Sequence, residues 1–190
     1  PLIFSRGGYN GNTFQLTQWY PKPAMYDSEG WHPMPYLNLG EYYNNFGNYE
    51  VTITLPQQYV VAATGTLQTK SEKEWLPSRE NYSVPKQAAV KKTQTKSKTT
   101  AQKQTIEQPL KTIRFTQENV HDFALFADPH FIVKKDTCQL PDGAIVEVFA
   151  YYQPKHAAIW KNSVAFTKDA LRFYAAEVGA YPYKTVGVVQ

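Results

Sequence analysis

Short segments with alternating apolar and polar residues recur along most of this 190-residue chain. In NYEVTITLP, residues 48–56, Val51, Ile53 and Leu55 alternate with threonines, which predicts a strand with one buried face. Further short apolar segments, bounded by Pro, Gly and Asp, are YVVAATG, LKTIRFTQ, FALFAD, HFIVKK and AIVEVFAYY. Several short strands separated by turn signals indicate a mainly β fold with curved antiparallel sheets, in a saddle-like or sandwich arrangement.

The composition agrees with a β-rich chain. Aromatic residues make up 15% of the sequence, and 14 of them are tyrosines, which suit half-buried strands and surface grooves. No apolar run reaches the length of a membrane span. Cys138 is the single cysteine, so an internal disulfide or a cysteine metal cluster is excluded. We interpret Cys138 as a small buried hydrophobe.

The pattern changes after residue 152. The segment 154–183 predicts one amphipathic helix that ends at Gly179, followed by a strand in KTVGVVQ. The predicted buried stripe is Trp160, Val164, Thr167, Leu171, Tyr174 and Val178. A strand, a helix and a strand in this order open an α/β unit. We therefore predict a β domain over residues 1–152, incomplete at its start, and a truncated second domain over 153–190.

A run rich in Lys, Thr and Gln covers residues 86–111, with Glu107 as its one acidic residue. Such a composition cannot bury enough apolar area to offset the entropy of ordering. We predict a mobile insertion at about residues 70–109. The run carries no aromatic residue for base stacking, so its charge does not indicate nucleic acid binding.

Motifs for catalysis are missing from this sequence. It has no HExxH zinc helix, no GxSxG elbow, no phosphate-binding P-loop and no GxGxxG fingerprint. Two carboxylate pairs lie close in sequence, Asp27 with Glu29 and Glu118 with Asp122. We interpret the second pair as satisfying backbone donors and His121. The residues alone therefore assign no catalytic residue and no metal ligand.

The stretch TQWYPKPAMYDSEGWHPMPY, residues 17–36, combines many prolines and aromatics without a helical or strand period. Proline fixes φ without ladder hydrogen bonds, and Trp and Tyr supply bulk at low entropy cost. One interpretation is a rigid wall beside a ligand cleft. Two alternatives stay open: these aromatics pack the β domain, or they form a binding module for carbohydrate or protein without enzymatic activity.

Two stretches carry a family resemblance. Residues 15–65, QLTQWYPKPAMYDSEGWHPMPYLNLGEYYNNFGNYEVTITLPQQYVVAATG, closely resemble a bacterial branch of the aminopeptidase N family of zinc metallopeptidases. KTIRFTQENVHDFALFAD resembles a later stretch of the same family, and the segments follow in the family's order. The resemblance implies the later part of an N-terminal β domain and the first helix and strand of a thermolysin-like catalytic domain.

The resemblance also implies a function for the parent protein: a zinc-dependent aminopeptidase that removes N-terminal residues from peptides. The zinc ligands would lie beyond Gln190, so we expect this fragment to hold no metal and to be inactive alone. Its expected partners are the peptide substrate and the rest of its own catalytic domain. No signal peptide follows Pro1; the compartment stays open, with a secreted or periplasmic parent favoured.

The family places two substrate-binding residues in this part of the chain. Gln18 matches a glutamine that contacts the substrate backbone, and Tyr20 takes the position of a residue that helps hold the free amino terminus. Alternation in a strand predicts that both side chains share one face, with Trp19 on the other. A tyrosine carries no negative charge at neutral pH, so the resemblance implies altered amine recognition at Tyr20.

Overall fold

The computed structural model describes residues 7–34, 43–84 and 108–190. Most of the regular structure in these ranges is strand. The strands are β1 (Gly7–Asn10), β2 (Thr13–Leu16), β3 (Met25–Asp27), β4 (Gly30–His32), β5 (Gly47–Pro56), β6 (Val60–Ala63), β7 (Thr66–Leu67), β8 (Leu110–Val120), β9 (Leu125–Asp128), β10 (Ile132–Gln139), β11 (Ile145–Tyr152) and β12 (Thr185–Val189). The helices are α1 (Lys70–Trp75), α2 (Ala157–Trp160) and α3 (Ser163–Glu177), with 3₁₀ turns at Leu76–Arg79 and Pro154–His156.

Two antiparallel sheets pack face to face. One has the strand order β1-β2-β9-β6, and the other has the order β5-β8-β7. Ile113 and Phe115 of β8 meet Val61 and Leu125 of the facing sheet in a buried cluster. Burying each such side chain contributes about 1.5–3 kcal/mol, so this cluster is a principal source of stability. The strand predicted from the alternation in β5 is confirmed: β5 pairs with β8 in antiparallel fashion, with Val51 opposite Phe115.

A second core lies on the opposite face of β6. Val60 and Ala62 of that strand point away from Val61 and pack with Phe131, Val133 and Tyr151. Strand β6 is therefore buried on both faces, which explains why its sequence is continuously apolar. The third sheet, β10-β11-β12, follows as the next layer.

Helix α3 covers the far face of the third sheet. Its Leu171 joins a buried cluster with Cys138, Leu140, Val146 and Val148. Cys138 is fully buried, as predicted. Strand β11 precedes the helices α2 and α3 in the sequence, and β12 follows them. The two strands pair in parallel, so β12 extends the sheet that β10 and β11 begin. The mainly β fold class with antiparallel sheets is confirmed.

The predicted helical stripe is correct only in its first part. Trp160 and Val164 pack against the third sheet, and Leu171 is buried. Tyr174 and Val178 are instead 60% and 80% exposed, so their predicted burial is wrong. Their turns lie beyond the cluster around Leu171, which contains neither residue. The helix ends as predicted, because Gly179 adopts a φ of 141° and its amide donates to the Tyr174 carbonyl at 3.1 Å.

The predicted insertion begins with ordered structure. Residues 70–79 form α1 and a 3₁₀ turn, and Glu72 and Arg79 are buried there. The Arg79 guanidinium donates to the carbonyls of Pro129 and Phe131, so this segment is held against the connection between β9 and β10. Residues 85–107, which contain most of the Lys-rich run, lie outside the described residues, and their mobility stays a prediction.

Strands β1 to β4 are absent from the sequence predictions. The pair β3 and β4 forms a hairpin inside the stretch interpreted as irregular, with Asp27 opposite Gly30. Gly30 adopts a φ of 103°, which favours glycine where β4 begins after the tight turn at Ser28 and Glu29. Among the helices described, none combines the length and apolarity needed to cross a membrane.

Candidate functional site

A cavity of about 310 Å³ lies beside the β3–β4 hairpin. Its wall is built by the segment after β2, by the hairpin and by the segment before β5. The lining residues are Gln18, Tyr20, Lys22, Pro23, Ala24, His32, Pro33, Met34, Tyr43 and Asn44. Both residues predicted to bind substrate, Gln18 and Tyr20, belong to this wall.

The backbone reaches the cavity by a route that differs from the prediction. Strand β2 ends at Leu16, and Gln18 adopts a φ of 53°, which no strand allows. The predicted strand alternation over residues 18–20 is therefore wrong. Because Gln18 turns the chain in the left-handed region, Gln18 and Tyr20 still line one cavity. The Trp19 indole N–H donates to the Phe123 carbonyl at 3.0 Å.

Tyr20 is held from behind by a carboxylate. Its hydroxyl lies 2.8 Å from Oδ1 of Asp122 and 2.8 Å from the Tyr49 hydroxyl. A hydroxyl has one proton, and the carboxylate only accepts, so Tyr20 donates to Asp122. Burial, followed by these hydrogen bonds, raises the pKa of Tyr20 well above its ordinary value. Tyr20 therefore stays neutral at neutral pH.

Asp122 also holds a second side chain of the wall. The Lys22 ammonium lies 2.9 Å from Oδ2 of Asp122, and the Phe123 amide donates to Oδ1 at 2.7 Å. The Lys22 side chain is only 14% exposed. One carboxylate thus orients both Tyr20 and Lys22.

Asp27 plays the same part for the other side of the wall. Its Oδ1 lies 2.8 Å from Nε2 of His32, and its Oδ2 accepts from the Tyr43 hydroxyl at 3.0 Å. The His32 hydrogen bond, followed by that from the Glu29 amide, holds the pKa of Asp27 below its usual range. The rings of His32 and Tyr43 pack edge to face with centroids 5.3 Å apart.

Two aspartates behind the wall therefore orient four of its side chains. Fixing ligand-contacting groups through a second layer of hydrogen bonds is a property of prepared binding sites. In the sequence, Asp27 and Asp122 stand out only as members of carboxylate pairs, and no pattern predicts a role for His32, Tyr43 or Asn44. The one local signal for the Asp27–His32 pair is the hairpin, which sets residue 25 opposite residue 32.

Among the described residues, no group of three His, Cys, Asp or Glu side chains could hold a metal ion. The zinc expected in the parent protein is placed by the resemblance outside this chain, and that expectation stays a prediction.

A larger cavity of about 590 Å³ lies elsewhere, against the sheets. It is lined mainly by apolar side chains of β6, β11 and β12, including Ala62, Phe149 and Val189. Lys73, Glu80, Lys135 and Glu147 are its charged lining residues. Neither predicted site residue borders it.

Comparison with known proteins gives matches at the level of structure. No protein-family model and no curated protein matches the sequence. The M1 zinc metallopeptidase from Deinococcus radiodurans matches with 20% identity and a TM-score of 0.47, over 76% of this chain and 26% of that one. Legionella pneumophila aminopeptidase A, solved in complex with aspartic acid, matches with 14% identity and a TM-score of 0.54, over 96% of this chain and 17% of that one.

The likeness covers only a part of each of these enzymes. The chain spans about a quarter of the length of the Deinococcus enzyme and less of the Legionella enzyme. At such low identity the likeness concerns the fold alone. The chain shares the fold of the corresponding part of a Legionella aminopeptidase over nearly its whole length.

Proposed function

We propose that this chain is the part of a zinc-dependent aminopeptidase that forms one wall of its peptide-binding cleft. In this proposal residues 1–152 belong to the N-terminal β domain and residues 153–190 open the catalytic domain. The supporting observation is that Gln18 and Tyr20, the two residues expected to contact peptide, line one cavity whose wall is oriented by two aspartates. The fold shared with an aminopeptidase in complex with aspartic acid adds support.

The residues of this chain would bind and orient the peptide. Gln18 would offer its side-chain amide to the peptide backbone near the amino end. Tyr20 would supply a ring wall, because its hydroxyl proton is already given to Asp122. Zinc, held by residues beyond Gln190 in the parent, would supply a water activated for attack on the peptide bond. This chain would position the peptide for that attack and exclude bulk water from one side.

The test is a kinetic comparison in the full-length protein. We expect Gln18→Ala to lower kcat/KM by about fivefold, because one net hydrogen bond contributes about 1 kcal/mol. Gln139→Ala, an exposed glutamine at the end of β10, serves as the matched control and should leave kcat/KM unchanged. If Gln18→Ala alters stability but not kcat/KM, Gln18 is a structural residue and the assignment fails.

Tyr20 is tested with free and N-acetylated peptides. Because Tyr20 offers no charge, we expect Tyr20→Phe to change kcat/KM for the two substrate types by the same factor. A selective loss for the free peptides would show that the hydroxyl recognises the amine, against this proposal. The 190-residue chain alone should neither hydrolyse peptides nor purify with zinc; stoichiometric zinc in it would contradict the proposed division of roles.

A second candidate function rests on one surface feature. Tyr26 and Trp31 face each other across the β3–β4 hairpin with ring centroids 5.0 Å apart, and they are 62% and 68% exposed. Exposed aromatic pairs of this kind can stack on sugar rings. A polysaccharide pull-down that is lost in Trp31→Ala and kept in Gln18→Ala would favour a carbohydrate-binding module.

A further inference from the structure

The cavity of about 590 Å³ is a gap in the second core. Ala62, Val133 and Tyr151 pack in that core and also line the cavity. The described side chains therefore fill only part of the space between the sheet of β6 and the third sheet. The volume of this gap lies in the range of pockets that enclose small-molecule ligands.

Gly187 leaves part of this space open. It lies in the middle of β12, with Thr185 and Val189 on the same face, and all three residues line the cavity. Its φ lies outside the left-handed region, so the backbone does not require a glycine. Among the described residues beyond its chain neighbours, a Cβ at Gly187 would meet Tyr151 Cε2 alone, at 3.6 Å, which is an ordinary contact. A glycine inside a strand costs stability and often marks a place that a ligand approaches closely.

The Tyr151 side chain brings an unpartnered hydroxyl to the same space. Tyr151 is 7% exposed, and its hydroxyl has no hydrogen-bond partner in the described part of the chain. In that part no fully buried side-chain oxygen or nitrogen lacks a partner, so this hydroxyl keeps access to open space, and the space that Tyr151 borders is the cavity. Burial, followed by the charges of Glu147 and Glu72, raises the pKa of Tyr151. The hydroxyl therefore keeps its proton and can donate a hydrogen bond.

The charged lining residues balance one another. Two are lysines, Lys73 and Lys135, and two are glutamates, Glu80 and Glu147. Lys135 pairs with Glu147, Glu80 pairs with Lys134 at 3.2 Å, and Lys73 lies on the exposed surface of α1. A charged ligand would lose its hydration in the cavity and meet opposite charges that are already paired or solvated. The walls therefore favour an uncharged ligand.

From these observations we propose that this cavity binds an uncharged, mainly apolar small molecule, such as an aromatic ketone or ester, whose carbonyl oxygen accepts a hydrogen bond from the Tyr151 hydroxyl. Gly187 leaves room for the ligand beside that hydroxyl. A polypeptide segment suits these walls less well, because every peptide unit adds an N–H and a C=O that need partners. The site is separate from the cavity of Gln18 and Tyr20, so the inference goes beyond the proposed function.

Three ligands of similar shape test this chemistry. 2-Acetylnaphthalene carries a carbonyl acceptor, 2-isopropylnaphthalene lacks it, and 2-naphthoate carries a negative charge. Each competes at neutral pH with 6-propionyl-2-(dimethylamino)naphthalene, an uncharged fluorescent ketone whose emission shifts to shorter wavelength in apolar surroundings. We expect the 190-residue chain to bind the fluorescent ketone saturably and to bind 2-naphthoate more weakly than 2-acetylnaphthalene.

Variants connect the binding to the two named residues. Tyr151→Phe should weaken 2-acetylnaphthalene binding about fivefold, the effect of one net hydrogen bond, and leave 2-isopropylnaphthalene binding unchanged. Tyr152→Phe is the matched control and should bind like wild type, because Tyr152 is a buried tyrosine on the other face of β11. Gly187→Leu should fill the cavity and weaken all three ligands at least tenfold, with circular dichroism to verify that the variant is folded.

Several results would overturn the inference. They are an absence of saturable binding, tighter binding of 2-naphthoate than of 2-acetylnaphthalene, an equal effect of Tyr151→Phe on the ketone and the hydrocarbon, and wild-type binding by folded Gly187→Leu. Binding by the 190-residue chain but not by the full-length protein would show that another part of the polypeptide fills the cavity, which also contradicts the inference. Binding is measured without catalysis and at a separate site, so its outcome is independent of the Gln18→Ala kinetics that test the proposed function.

Discussion

A buried ion pair joins residues on either side of positions 85–107, and its removal offers a quantitative test. Glu72 of α1 precedes residues 85–107, and Lys111 of β8 follows them. The Lys111 ammonium lies 2.7 and 2.9 Å from the two carboxylate oxygens of Glu72. The Lys111 side chain is 13% exposed and the Glu72 side chain is 6% exposed. The Lys111 ammonium lies 3.9 Å from the centre of the Trp75 ring.

Burial opposes both charges of this pair. Burial is the largest effect on both groups: it raises the pKa of Glu72 and lowers the pKa of Lys111. In each case the oppositely charged partner shifts the pKa in the other direction. Removing one partner leaves the other charge buried, which costs about 3–5 kcal/mol in proteins. We take about 3 kcal/mol for Glu72→Met or Lys111→Met, because both groups retain slight solvent access. In a chain of this size that lowers Tm by about 6–12 °C.

The double variant should behave differently. Replacing both charges with methionine removes both desolvation costs and keeps the apolar packing against Trp75. We expect its free energy of unfolding to lie within about 1 kcal/mol of wild type. The coupling energy of the cycle is therefore large, about 5 kcal/mol for two single losses of about 3 kcal/mol.

Urea unfolding followed by tryptophan fluorescence and circular dichroism measures these free energies. Glu74→Gln is the matched control, because Glu74 pairs with Lys70 at 3.8 Å while the two side chains are 66% and 89% exposed. Exposed pairs contribute little, so we expect a change below about 0.5 kcal/mol. Single losses below about 1 kcal/mol, or a double variant as unstable as the two singles summed, would refute the assignment of a buried, mutually dependent pair.

The remaining predictions concern two glycines and Tyr20. A Cβ at Gly65 would lie 2.4 Å from the Thr116 carbonyl oxygen at a φ of 88°, whereas Gly143 has a φ of 89° and open space around it. We expect Gly143→Ala to cost about 1–2 kcal/mol from backbone strain and Gly65→Ala to cost at least about 2 kcal/mol more; equal urea midpoints for the two variants would contradict this. Because the folded state raises the pKa of Tyr20, wild type should lose stability as the pH rises above about 10, where unfolded tyrosine ionises. Tyr20→Phe should lose less over the same range, as measured by urea midpoints at pH 8 and about 10.5.

The parts of the fold that depend on local pattern were predictable. Strand β5 alternates over many residues, and β11 is a long apolar run after a Pro-Asp-Gly turn, so each carries its own signal. The four strands before β5 are only three or four residues long. Segments this short form strands only through their pairing with other strands. Strand β2 lies between β1 and β9 in the sheet, and β9 comes much later in the chain.

Helix α3 shows the limit of a helical pattern. Periodicity identifies which residues share a face, and Leu171 and Tyr174 do lie near one another along that face. It does not state how far the facing sheet extends. Leu171 meets the cluster of β10 and β11, while Tyr174 lies one turn further along and is 60% exposed.

The site combines residues that resemblance could name with residues that only the tertiary structure brings together. Gln18 and Tyr20 came from a family pattern, and the cavity contains both. Asp122 reaches Tyr20 from the segment after β8, and no sequence spacing relates the two.

This division has a chemical consequence for the cavity. Tyr43, Asn44 and His32 can each donate or accept a hydrogen bond, so their identities alone do not state which ligand they suit. The choice is made by Asp27 and by the His121 carbonyl, which take the available protons from behind the wall. If Asp27 were instead an apolar residue, Tyr43 and His32 could turn donors toward the cavity and suit a carboxylate. The polarity of the cavity toward its ligand is therefore decided by groups that do not line it.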